Sequence, residues 1–335
     1  MRLEFLHNYP INHEANSLLM QEDFPNRSIF IQKKDYKEEL AQKFGAKFAF
    51  PIGFDVFGLL GFFCFLGKKI AYGIGNHQQI FLAAKNKNGK KIALKKDTGE
   101  IDFESLEEAI REGCEVFVLP SINQDIFSRN DCKKVLLFLQ EKCKDFILVI
   151  DVTLSVSLGE FDRVDDDRVF YLLQGENLGL LRNFGIVFTQ RDIEIPFVLQ
   201  NERIYEAFLL ALEKRIKIKP WSKKEFFAIC RENLGDKVGL FTPLENSATN
   251  TLALRFDKIK ARVLLQDLFI QNIYGANGQE CLFGLFRPSF VLQEMGYLQD
   301  ESRELLALSA AEILDIREVA NRICESYLQI TTLGI

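Results

Sequence analysis

The chain has 335 residues, of which 47% are apolar and 27% charged, with a net charge of −5. That length exceeds what one hydrophobic core usually fills, so two subdomains are expected, and the acidic balance gives no electrostatic reason for nucleic acid or an anionic membrane as partner. Seven cysteines without a CxxC pair, and only three histidines (His7, His13 and His77), argue against a disulfide framework, a structural zinc and a His-rich metal centre; they fit a reducing cytoplasm.

The start, Met1 to Asn8, lacks the apolar region and cleavage site of a signal peptide. Residues 48–67 are apolar enough to suggest a membrane span, but Pro51, Gly53 and Asp55 break the run. It reads as a strand, a turn and a buried helix. Strand-like runs follow at 47–50, 69–72, 115–119, 146–150, 169–173 and 184–189, with helix-like runs at 36–44, 54–66, 103–111, 129–142 and 204–214. Strands separated by amphipathic helices predict right-handed crossovers and a mainly parallel sheet. The run 146–150 is apolar without alternation, as in a strand buried on both faces. The lysines between Lys85 and Lys96 are interrupted by Asn, Gly and apolar residues and read as solvated surface.

After about Lys219 the texture changes. Ser222 is placed to cap a helix from Lys223. A strand at 251–256, a helix at 259–269, a glycine-rich loop at 274–284 and a long helix at 316–328 follow. The predicted fold is therefore α/β: a large domain over residues 14–219, and a small α+β domain from residues 1–13 and 220–335.

Few motifs carry chemistry. Gly73-Ile74-Gly75 lacks the third glycine of a dinucleotide loop, and no helix clearly opens after it. Asp165-Asp166-Asp167 reads as a solvated turn rather than a metal site. Asp151 follows the buried strand 146–150, where the crevice of an open parallel sheet lies, so it is a helix cap or a site residue. Cys281 sits among glycines at 275, 278 and 284; it is either presented on a loop or buried as a small hydrophobe.

Taken in order, these segments resemble the cysteine desulfurases, within the class V aminotransferase group of fold type I pyridoxal-phosphate enzymes. The resemblance runs along nearly the whole chain. Asn76-His77 falls on the family's Glu-His pair, whose histidine stacks on the cofactor. Asn123-Gln124-Asp125 resembles Asn-Asn-Glu, and Asp151-Val152-Thr153 resembles the Asp-Ala-Val whose aspartate pairs with the pyridine nitrogen. Gly278-Gln279-Glu280-Cys281-Leu282-Phe283-Gly284 resembles the loop of the nucleophilic cysteine. Pro288-Ser289-Phe290-Val291-Leu292, followed by Met295-Gly296, resembles Pro-Ser-His-Val-Leu-x-x-Met-Gly.

The departures cluster at one site. The Schiff-base lysine falls on Asn177, in Gln174-Gly175-Glu176-Asn177. An amide forms no imine and moves no α-proton. Asp55 stands in the phosphate turn, Leu154 replaces a glutamine, and the substrate-carboxylate arginine falls on Ala307. The resemblance thus implies cofactor-binding positions His77, Asp151 and Asn177, a catalytic position Cys281, and a homodimer. The departures imply a pseudoenzyme in which pyridoxal phosphate is not held as an aldimine. Its remaining roles would be sulfur handling or binding a protein partner in sulfur metabolism, without nucleic acid, membrane or metal. The alternatives are an active pyridoxal-phosphate enzyme and a plain interaction protein.

Overall fold

A computed structural model describes residues 1–20, 35–181, 183–196, 199, 201–279 and 287–333. Its larger sheet contains β1 (Phe48–Gly53), β2 (Ile70–Gly73), β3 (Lys90–Ile92), β4 (Val116–Pro120), β5 (Ile147–Asp151), β6 (Val169–Gln174) and β7 (Phe184–Thr189). The spatial order is β1-β7-β6-β5-β4-β2-β3. Strands β3, β2, β4, β5 and β6 are parallel, and β7 and β1 join antiparallel. Every residue of β2, β4, β5 and β6 is buried, which accounts for their unbroken apolar runs. A second, antiparallel sheet has the order β10-β9-β8, from Leu305–Ser309, Thr251–Phe256 and Val238–Leu240.

The chain runs outward from β2 to β3, then crosses back to β4 and proceeds the other way. The carboxyl ends of β2 and β4 therefore flank a topological switch point, where a crevice opens in sheets of this kind. The segment after β2 carries His77, and the segment after β4 carries Asn123, Gln124 and Asp125. Next to them, Pro120 of β4 pairs with Asp151 of β5.

Several elements differ from the sequence reading. A helix does open after Gly75, at Gln78–Asn86; its cap is His77, outside the usual Ser, Thr, Asp and Asn set. Strands β3 and β8 are only three residues long, too short for a period to show. Ser222 caps the helix Lys223–Leu234 as expected, accepting from Glu225 N–H. The apolar stretch divides into β1 and the eleven-residue helix Val56–Leu66, and no helix of the described residues is long and apolar enough to cross a membrane.

Two hydrophobic cores form. One surrounds the larger sheet; the other joins Leu252, Leu254, Leu306 and Leu308 to the helices Lys223–Leu234 and Ile316–Leu333. The N-terminal arm serves both, with Leu3 in the second core and Phe5, Leu6 and Tyr9 in the first. It threads between Tyr274 and Ser309, receiving a bond from Ser309 N–H at Leu3 O (2.6 Å) and donating from Phe5 N–H to Ser309 O (2.9 Å). This pairing directs Leu6 and His7 into the crevice.

Candidate functional site

Each side chain that closes the crevice is placed by an element end. Asp151, the last residue of β5, is 2% exposed. Its Oδ1 accepts from Thr153 N–H at 3.0 Å, which serves the first turn of the helix Thr153–Leu158. No donor among the described residues reaches Oδ2 in hydrogen-bonding geometry. Burial pushes the Asp151 carboxyl above the ordinary range, against the counteracting bonds of Thr153 and Gln124. Of the two readings left open by sequence, the structure speaks to the first: one oxygen serves the first residue of the helix, whose cap position itself is Val152.

His77 caps the helix Gln78–Asn86, its Nδ1 accepting from Gln79 N–H at 3.2 Å. Its ring meets Phe54 edge-on, at 5.4 Å between centroids. Burial, with the nearby His7, pushes the His77 imidazole down to about 4. A ring nitrogen that accepts an N–H must be unprotonated, so the cap and the lowered pKa require the same state. His7 arrives from the arm. Its Nε2 lies 2.9 Å from Gln124 O, and since a carbonyl cannot donate, Nε2 carries the hydrogen. Nδ1 is buried and has no hydrogen-bond partner among the described residues. The His7 ring packs on Phe127, whose φ of +56° is a strained value for a bulky side chain.

Asn177 lies in the short turn Glu176–Leu178 after β6 and is buried. Its side-chain amide donates to Leu6 O, and its own carbonyl accepts from Ser157 Oγ at 2.6 Å. Asp55 caps the helix Val56–Leu66, accepting from Phe57 N–H at 2.9 Å and Gly58 N–H at 2.8 Å. Ala307 is buried in β10 opposite Ala253. Cys281, with Glu280, lies outside the described residues.

These residues do not fit the pyridoxal phosphate that the resemblance implies. A helix N-terminus attracts anions through its free N–H groups and its dipole, but here a resident carboxylate already takes two of them. At the lysine position an amide is committed to the arm. Only the unpartnered Asp151 Oδ2 matches, since it could receive a ring N–H. Through the arm the structure links these segments: Asn177 bonds Leu6 O, His7 bonds Gln124 O and lies near His77, and the rings of Phe54 and Phe127 pack on the two histidines. Sequence reasoning missed Leu6, His7, Phe54 and Phe127. The scarcity of histidine was the available signal, since two of three converge here.

The His77 cap has a consequence for acid stability. A histidine with a folded pKa near 4 and an ordinary unfolded value of 6.5 binds more protons when unfolded, so stability falls as pH drops from 6.5 towards 4. Burial lowers His7 in the same sense; Asp151, raised from 3.8, acts oppositely and stabilises as pH falls. From pH 7 to pH 5 the His77 contribution is a loss of about 2 kcal/mol. Urea unfolding at both pH values should show this loss, and His77→Asn, which keeps a cap acceptor, should reduce it. An unchanged pH dependence in the variant would contradict the assignment.

No family model and no curated protein matches the chain. Solved structures do. A NifS-like protein superposes with a TM-score of 0.70 at 15% identity, over 99% of this chain and 100% of its own. The cysteine desulfurase CsdA from Escherichia coli, in an S-sulfonic acid form, gives 0.67 at 12% identity, over 99% and 94%. A serine palmitoyltransferase from S. paucimobilis, bound to a PLP–myriocin aldimine, gives 0.65 at 13% identity, over 99% and 88%. With its mainly parallel seven-stranded sheet and this full-length superposition, the chain has the fold of the NifS-like cysteine desulfurases, that of fold type I pyridoxal-phosphate enzymes.

Proposed function

We propose that this protein is a pseudoenzyme on the cysteine desulfurase scaffold, retained for sulfur handling through Cys281 or for binding a protein partner in sulfur metabolism. The observation that carries the proposal is the Asn177 side chain. It lacks the amine that an imine requires, and its N–H is spent on Leu6 O. Asp55 adds a second obstacle, a carboxylate where a phosphate dianion would need free N–H groups. An active pyridoxal-phosphate desulfurase or aminotransferase would need another lysine and another anion site.

The assembly we propose is a homodimer in the cytoplasm. The helix Val56–Leu66 has no charged side chain, and a helix apolar on all sides is normally covered. Yet Phe57 is 84% exposed on it and Cys64 is exposed too. A second copy seated there would cover both. The free Cys64, Cys114, Cys132, Cys143, Cys230 and Cys324 fit a reducing compartment.

Four measurements test this reading. Incubation with pyridoxal phosphate, then borohydride, should leave no stoichiometric lysine adduct by mass, and Asn177→Lys alone should release no sulfide from cysteine; either signal restores the enzyme reading. Light scattering should give a dimer mass, reduced by Phe57→Glu; a monomeric wild type ends the dimer proposal. Alkylation of the native protein should label Cys281 faster than Cys132, Cys143 and Cys324. Equal rates would leave a plain interaction protein as the better reading.

A further inference from the structure

The helices Lys223–Leu234 and Ile316–Leu333 pack on each other in the second core. Asn233 fixes their register. Its side-chain amide donates to Ile229 O at 2.9 Å within its own helix, and to Asn321 Oδ1 at 3.0 Å on the other. Cys230 lies one turn before Asn233, and Cys324 one turn after Asn321. In an antiparallel pair those two positions face each other, and the thiols do meet. Each is the other's hydrogen-bond partner, which pushes Cys230 above the ordinary thiol range and draws Cys324 below it.

The pairing is particular to these two. Cys114, Cys132 and Cys143 direct their thiols to the backbone carbonyls of Ile70, Asn130 and Asp145. Cys230 and Cys324 are 0% and 1% exposed, in a core shared with Phe226, Ile323 and Tyr327. Packed helix axes stand about 8–10 Å apart with Cα atoms about 2.3 Å from each axis, which leaves roughly 3.5–5.5 Å between facing Cα atoms. Disulfides span Cα separations of about 4.4–6.8 Å. The ranges overlap, so the sulfurs can join without parting the helices.

We propose that Cys230 and Cys324 are a redox modification site: a peroxide oxidises the pair to a disulfide that fastens the helix Lys223–Leu234 to the helix Ile316–Leu333. The Cys324 thiolate attacks one peroxide oxygen. The O–O bond breaks, water leaves, and Cys324 becomes a sulfenic acid. Cys230 gives up its proton and attacks that sulfur, so the S–S bond forms as the S–O bond breaks and a second water leaves. Two thiols are oxidised and one peroxide is reduced to two waters. Both thiols are buried, so the oxidant enters when the helices open locally, which favours a small reagent. The bond encloses β8, β9 and β10, which lie between the two cysteines in sequence, and closing so long a loop restricts the unfolded chain. The site is independent of the crevice and of its reading.

The test is treatment of the whole native protein with hydrogen peroxide, followed by denaturation, alkylation and non-reducing peptide mapping, with the exposed Cys64 as internal standard. One linked peptide pair containing Cys230 and Cys324 is expected, lost on adding dithiothreitol, with a melting temperature raised by roughly 5 °C before reduction. Cys230→Ala should leave Cys324 as a sulfenic acid that dimedone traps, whereas Cys324→Ala should give no dimedone adduct at Cys230. If either variant does not fold, the mapping of the wild type decides alone. Cys230 and Cys324 still free after Cys64 has been oxidised would overturn the proposal, as would a disulfide joining either of them to a different cysteine.

Discussion

The crevice is governed by the cost of leaving a polar group buried and unpaired. The carboxyl edge of a parallel sheet gathers helix N-termini and strand ends in one place, and each brings N–H groups that need acceptors. Where a ligand does not supply them, the chain must. Here Asp55, His77 and Asp151 each answer the first turn of a helix, and Asn177 answers the arm. The chemistry of the site follows from that duty. A histidine that must accept cannot be an acid, and an amide tied to a carbonyl cannot be a nucleophile.

The same constraint explains why the arm is indispensable to the crevice. Leu6 offers a carbonyl to Asn177, and His7 offers an N–H to Gln124 O. Phe127 then accepts a left-handed backbone that costs on the order of 1–3 kcal/mol, and its fully buried ring packs on His7. The strain, and the atoms of His7 and Asp151 that have no partner among the described residues, lie on neighbouring segments. These are the places where packing has been satisfied at the expense of local preference.

What was legible in the sequence follows from range. β5 was readable because it overlaps the run of five apolar residues at 146–150, and the helix Phe103–Arg111 because its apolar residues recur at helical spacing. The helix after His77 was not, because an imidazole cap has no place among the usual signals. Asp55 was visible as an obstacle to phosphate; that it would be the helix's own cap needed the backbone geometry. Asp125 was visible only as part of a resemblance, since its partners lie at positions 279 and 289 and nothing local marks them. The convergence of His7 on His77 spans seventy residues and depends on the pairing of the arm with Ser309. The placement of Cys281 lies outside the described residues.

The threading of the arm also sets an order in time. Residues 3 and 5 pair with residues 274 and 309, which leave the ribosome long afterwards. At roughly 5–20 residues per second, the interval is on the order of 15–60 s. During it, Leu3, Phe5 and Leu6 have no permanent place, and the large sheet assembles with its crevice unsealed. Contacts of such long sequence separation form slowly. The nascent chain therefore carries Leu3, Phe5 and Leu6 uncovered until residues 274 to 309 have been made, an exposed apolar segment of the kind that chaperones shield.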